Sequence, residues 1–163
     1  MHFFCETVAS HDNELVANTI KDCVLSIKTP AYLLDMYLTP RDWNDEAAKI
    51  FKLWLEGPEI NLLRHMFLDP NAKTFIVDWE VRARQLLAQF RSEYAKHIHS
   101  PKMLELVEGL KEESDFFRKA WSDQQVLFRS GNERSYIHPN LGSLTYFQNA
   151  FVALAEPSLM LVS

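Results

Sequence analysis

Six histidines and two cysteines are the side chains of this 163-residue chain best suited to hold a metal or to act as nucleophile or base. Their spacing supports neither use. His97 and His99 stand two apart in HIHS, at the end of a long helical pattern. On a helix that separation turns the two rings roughly 200° apart. There is no HExxH and no Cys/His run with zinc spacing. Cys5 and Cys23 make no CxxC and lie far in sequence from His138. Ser143 sits in LGSLT, which is not the GxSxG of a nucleophile elbow. Asp45-Glu46 and Glu112-Glu113 fall at helix ends or on solvated faces, and the four glycines form no phosphate-cradling cluster. The chain is expected to have no catalytic residue, no metal site and no cofactor.

What it has in quantity is large apolar volume: 11 Phe, 5 Tyr and 4 Trp. Between a sheet and helices such side chains form a core, and they can also wall a hollow for an apolar molecule with a few polar anchors. His138 precedes Pro139, which keeps Ile137-His138 extended and removes a ladder donor. The expected role of its ring is a hydrogen bond to the turn backbone or to a helix carboxylate, with a pocket-rim contact as the alternative.

Bulk properties bound the setting. The chain can form one domain that buries most of its apolar surface. A hydrophobic content of 47% with 24% charged residues is that of a soluble globular protein. A net charge of −5 argues against a phosphate-neutralising face for nucleic acid. The few cysteines suggest a reducing cytoplasm. MHFFCETVAS lacks the features of a signal peptide. No stretch reaches the ~18–20 apolar residues of a membrane helix.

The elements that must position any site follow from pattern and punctuation. Residues 1–12 read as an arm or connector tail, and 13–163 as one domain. Leu15, Val16, Ile20, Cys23, Val24 and Ile27 mark one face of a first helix ending at Thr29-Pro30. Residues 31–38 read as a strand stopped by Thr39-Pro40. A second helix is capped by Asp42 or Asn44, and a short one covers 60–67. From Asp69-Pro70 a long helix is expected, with Phe75, Ile76, Trp79, Ala83, Leu86, Leu87, Phe90 and Tyr94 inward and Arg82, Gln85 and Gln89 largely outside. Helices from Ser100-Pro101 and Ser114 follow. Strands are expected at about 124–129, 134–138, 142–149 and 158–163. The fold class is α+β, an antiparallel sheet with helices largely on one face.

TPAYLLD (29–35), WNDEAAKIF (43–51), NLLRHMFLDPNAK (61–73), DWEVRARQLLAQFR (78–91), ESDFFRKAW (113–121) and RSGNERSYIHPNLGSLTY (129–146) form an ordered series. It resembles the MmyB-like ligand-binding domain that follows an XRE-type helix-turn-helix in bacterial transcription regulators. The resemblance runs from about residue 29 to the end. FLDP before a tryptophan-bearing helix, then SGxxRxxxHPxxG, is specific as a set. It departs at Gln124, where the family often has a histidine, and at LMLVS, beyond which the family usually continues. No helix-turn-helix precedes Asn13, so the chain reads as an excised or stand-alone sensor that meets DNA only through a domain not in this sequence.

The resemblance implies a PAS-like fold and a small-molecule sensor, with a fatty-acid-like ligand between sheet and helices. The expected wall is Tyr32, Leu34, Phe51, Phe67, Phe75, Trp79, Leu86, Phe117, Trp121, Phe128 and Tyr146. Asn44, Arg64 and His138 are the candidate polar anchors, because a buried carboxylate needs a donor. A homodimer is expected, with the first helix as output element. The alternative is a PAS-like dimerisation module with a filled core and no ligand.

Overall fold

Residues 2–123 and 131–163 are described by the computed structural model, with side chains from Glu14 onward. The chain opens in α1 (His2–Ser26) and crosses into an antiparallel pair, β1 (Tyr32–Leu34) and β2 (Pro40–Trp43). A run of helices follows: α2 (Asp45–Leu55), α3 (Leu62–Leu68), α4 (Pro70–Phe75), α5 (Trp79–Lys96), α6 (Pro101–Glu113) and α7 (Asp115–Ser122). The hairpin β3 (Glu133–His138) and β4 (Gly142–Phe147) leads to β5 (Ala150–Val152) and β6 (Met160–Val162).

Short polar side chains set the helix starts by accepting otherwise unpaired backbone N–H groups. Asn44 accepts from Ala47, Asn61 from Arg64, Asp69 from Asn71, Ser100 from Met103 and Ser114 from Phe117. Pro70 and Pro101 occupy first turns, where a missing N–H costs nothing.

The sheet is antiparallel in the order β2-β1-β6-β5, with β3-β4 as a separate two-stranded ribbon. The two are joined at one point. Gln148 N donates to Asn132 O at 2.8 Å, extending the ribbon, while Asn149 and Ser163 exchange backbone bonds at 2.6 and 3.0 Å, extending the β5-β6 pair. From Gly142 to Val152 the chain is thus one bent run that changes partner between Gln148 and Asn149. Tyr32, Leu34 and Val162 face α2, α3 and α5 in the main core. Leu33 and Leu161 face the other way, against Ile20, Val24 and Ile27 at the end of α1 and the segment that follows it. The molecule is an α+β domain with most helices on one face of the sheet and α1 on the other.

The structure differs from the sequence pattern in five places. The first strand ends at Leu34, because the Asp35 carboxylate accepts from Tyr37 and Thr39 N at 2.9 and 3.0 Å and turns the chain, with Leu38 at φ 60. Pro40 then opens β2 instead of only closing β1, a position where a strand tolerates proline. The long helix from Pro70 is two helices. Ile76 bridges to Tyr136 and Val77 N donates to Ser135 O at 3.1 Å, so two β-branched residues join the ribbon and α5 restarts at Trp79. Residues 2–12, expected as an arm, continue α1. The bent run also yields β5 as a strand of its own, and the expected strand at 124–129 lies outside the described residues.

Asn44 joins these parts. Its Oδ1 accepts from Ala31 N at 3.0 Å and Ala47 N at 2.9 Å, while Nδ2 donates to Ile27 O at 3.0 Å and Thr29 O at 2.8 Å. Asn44→Ala is expected to lower unfolding free energy by about 3 kcal/mol, from a lost cap and buried backbone groups left unpaired. Asn44→Asp keeps the two acceptor bonds and loses both donor bonds, so it should not restore wild-type stability. Denaturant midpoints for the two variants check this, and a wild-type midpoint for Asn44→Ala would refute it.

Candidate ligand pocket

Where the ribbon bends away from the four-stranded sheet, adjoining hollows open between the sheet and α2, α3 and α5. Three of them, of about 100, 290 and 460 Å³, share Tyr32 and Gln148. The first is walled by rings. Tyr32 meets Phe51 edge-on at 5.6 Å and Trp54 at 5.4 Å, and Phe75 stacks on Tyr136 at 5.1 Å. Leu62, Met66, Ile76 and Leu86 complete its apolar lining. The Ile76 bridge is what carries Tyr136 over Phe75.

The polar groups are concentrated on one side. Arg82 and Arg134 both donate to Glu133 O, at 2.7 and 3.0 Å, so the two guanidiniums are neighbours. Arg82 also reaches Gln85 Oε1 at 2.9 Å, and Arg134 reaches Gly131 O at 2.9 Å. Burial, then the Arg82 charge, lowers the Arg134 pKa. Burial pushes Tyr136 up to about 12, partly offset by Arg134 and Arg82. Burial, then Tyr136, raises Tyr32. The two phenols and two guanidiniums therefore feel one another across a common space, with Gln85, Gln89 and Gln148 at its edge.

His65, also in this wall, is 1% exposed. Its Nδ1 lies 3.2 Å from Asp69 Oδ2, near enough for attraction but misaligned for a hydrogen bond, and neither ring nitrogen makes one among the described residues. Burial lowers its pKa more than Asp69 raises it.

The residues singled out from sequence divide. Tyr32, Phe51, Phe75 and Leu86 line the first hollow, Leu34 the third and Tyr146 the second. Phe67, Phe117 and Trp121 lie instead in a packed set among α3, α5 and α7, with Phe67–Phe117 at 5.0 Å and Phe117–Trp121 at 5.5 Å. Trp79 joins that set beside Phe116 at 4.8 Å and donates from Nε1 to Met66 O. Asn44 is the backbone clamp described above. Arg64 bridges Glu59 at 2.7 Å and Glu113 at 3.2 Å on the surface. His138 Nδ1 accepts from Asn140 N and Leu141 N, so Nε2 carries the proton that goes to Lys49 O at 3.1 Å. It ties the hairpin turn to α2. Phe128 and Gln124 lie outside the described residues.

Arg82, Gln85, Gln89, Arg134, Tyr136, Gln148 and His65 were not among the expected site residues. The helix-face argument put Arg82, Gln85 and Gln89 largely outside the apolar stripe, yet they edge the hollow. The polar side chains of Arg82, Gln85 and Gln89 share a helix face with Leu86, which is a readable signal once a cavity is allowed. Arg134 and Tyr136 alternate to the same side of β3 as His138, which the strand period also encodes.

The molecule is an α+β domain with hollows lined between its sheet and helices. The sequence matches the MmyB-like transcription regulator ligand binding domain over residues 18–163, and the chain belongs to that family. That family is a regulatory ligand-binding domain of transcription regulators. A search among curated proteins returned no match. Among the described residues no group of three or more His, Cys, Asp or Glu could hold a metal ion, and no helix is long and apolar enough to cross a membrane.

Trp79→Ala should cost about 3 kcal/mol of stability, the lower end for a large aromatic because Trp79 is only half-buried. Ligand affinity should stay unchanged; a normal melt with lost binding would move Trp79 into the pocket wall. His65 gives a pH dependence. Its folded pKa is below the unfolded value, so its contribution is complete above about pH 6.5 and is lost as pH falls and the unfolded chain takes the proton. Thermal unfolding from pH 7.5 down to 5 should show this decline, and His65→Leu should flatten it.

Proposed function

We propose that this domain senses a fatty-acid-like amphiphile, with its chain in the aromatic hollow and its anionic end at the arginine side. One observation carries the reading: Arg82, Arg134, Tyr32 and Tyr136 converge at one edge of a cavity otherwise walled by Phe51, Trp54, Phe75, Met66 and Leu62. An apolar chain gains ~0.8 kcal/mol per buried CH₂, about fourfold in affinity per carbon, and the charged end is held only where donors replace its water. No reacting group is required; the chemistry is selective binding.

Occupancy has a short route outward. Tyr32 points into the hollow and its neighbour Leu33 packs under α1, so a shift of β1 changes both faces at once. A ligand that favours one placement of β1 would bias α1, the helix that leads toward a DNA-binding domain in regulators of this family. Exposed Leu15 and Leu25 on α1, at 66% and 55%, support α1 as a surface for pairing with a second copy.

Native mass spectrometry of the purified protein, with extraction of anything that co-purifies, is the direct test. Dodecanoate at a hundred times its dissociation constant should add about 2.7 kcal/mol, a melting shift of roughly 5–10 °C. A clean apo mass together with no shift across a series of acyl chain lengths would refute the reading and favour the dimerisation module.

A further inference from the structure

An alkyl chain seated only in the first hollow, of about 100 Å³, leaves the second, of about 460 Å³, unused. The two adjoin. Tyr32, Phe51, Tyr136 and Gln148 line both, and the Phe51 ring meets Tyr32 at 5.6 Å and Tyr136 at 5.3 Å, edge-on in each case. Among the described residues no charged side chain lines the second hollow, whereas Arg134 lines the first and the third. An anionic end therefore stays on the arginine side. The third hollow, edged by Gln89, Asn132 and Asn149, is too polar to suit an alkyl tail. A chain too long for the first hollow thus leads into the second. Phe147 lines that space and is 74% exposed, an apolar ring that a tail would cover.

We propose that the second hollow is a distal subsite for the alkyl chain and a point where occupancy reaches α1, so that chain length grades the signal. The inference rests on the amphiphile reading above and adds its regulation. Thr29 and Pro30, just beyond the end of α1, line the second hollow, while among the described residues none before Tyr32 lines the first. Thr29 Oγ1 lies 3.0 Å from Ser163 Oγ, and Thr29 O accepts from Asn44 Nδ2 at 2.8 Å. Asn149, which exchanges backbone bonds with Ser163, borders the same space. The connector after α1, the end of β6 and the bend at Gln148-Asn149 therefore meet on one hollow. A short chain touches only the route through β1. A long one also packs against Pro30 and Phe147, and orders the connector directly.

Calorimetric titration of the whole chain with octanoate and tetradecanoate, each below its aggregation concentration, tests the subsite, and amide exchange of the saturated complexes tests the signal. Each CH₂ buried gains up to about fourfold, so tetradecanoate should bind roughly a hundredfold or more tighter than octanoate. At saturation, tetradecanoate should slow exchange at residues 24–31 severalfold more than octanoate does. Phe147→Thr, at an exposed strand position, should cost tetradecanoate about tenfold and octanoate no more than about twofold. An affinity that stops rising beyond octanoate, or an equal loss for both chains in Phe147→Thr, would overturn the distal subsite. Equal slowing by the two saturated ligands would overturn the length readout and leave the amphiphile sensor, with its route through β1, standing. Failure of both acids to bind would overturn the sensor reading itself.

Discussion

The Asn44 carboxamide holds the front of this molecule in place. Four backbone groups from three segments meet on it: Ile27 O and Thr29 O after α1, Ala31 N before β1, and Ala47 N in the first turn of α2. Each would otherwise be a buried or half-buried group needing water that the packing excludes. The side chain has two donors and one acceptor oxygen with two lone pairs, and all four positions are used. Because β1 is central in the sheet, between β2 and β6, whatever fixes the entry to β1 fixes the register of both neighbours. The same clamp fixes the end of α1 against the outer face and the start of α2 against the inner one. The hollow and α1 are thus referenced to a single side chain.

The hollow exists because regular structure fails in two places. The run from Gly142 to Val152 changes partner at Gln148-Asn149, so the β3-β4 ribbon leaves the plane of the sheet. On the opposite side Ile76 and Val77 leave the helical path to pair with β3. The ribbon becomes a wall across from the sheet, with α2, α3 and α5 forming the rest. Aromatic side chains accordingly separate into two populations of the same composition. Tyr32, Phe51, Trp54, Phe75 and Tyr136 surround empty space, whereas Phe67, Phe90, Phe116, Phe117 and Trp121 fill the interface among α3, α5 and α7.

Much of the scaffold was legible in sequence because its signals are local. Asp69-Pro70, Ser100-Pro101 and Ser114 each combine a cap with a first-turn residue, and each starts a helix. Alternation in RSYIH and the Pro139–Gly142 turn mark the hairpin, and the ordered motifs mark the family. The turn at Asp35 and the break at Ile76 were hidden. A carboxylate bonded two and four residues onward looks like any strand-end aspartate, and two β-branched residues inside an apolar helical stripe look like part of the stripe. The candidate site was half legible: Tyr32, Phe51, Phe75 and Leu86 are apolar positions on inward faces. Arg82, Gln85 and Gln89 were assigned to solvent because amphipathic patterning counts every polar residue as outward.

By itself the sequence determined the helix starts, the α+β class, the hairpin and the family. Each depends on residues within a few positions of one another, where capping, proline geometry and side-chain period act without help from the rest of the chain. Tertiary structure alone decided which aromatic rings wall a cavity and which fill a core, and that Arg82 and Arg134 share Glu133 O. Those outcomes depend on where a ribbon some fifty residues from α5 comes to rest, and the difference between a packed ring and a cavity ring is the absence of a neighbour, which no side chain encodes in its own identity.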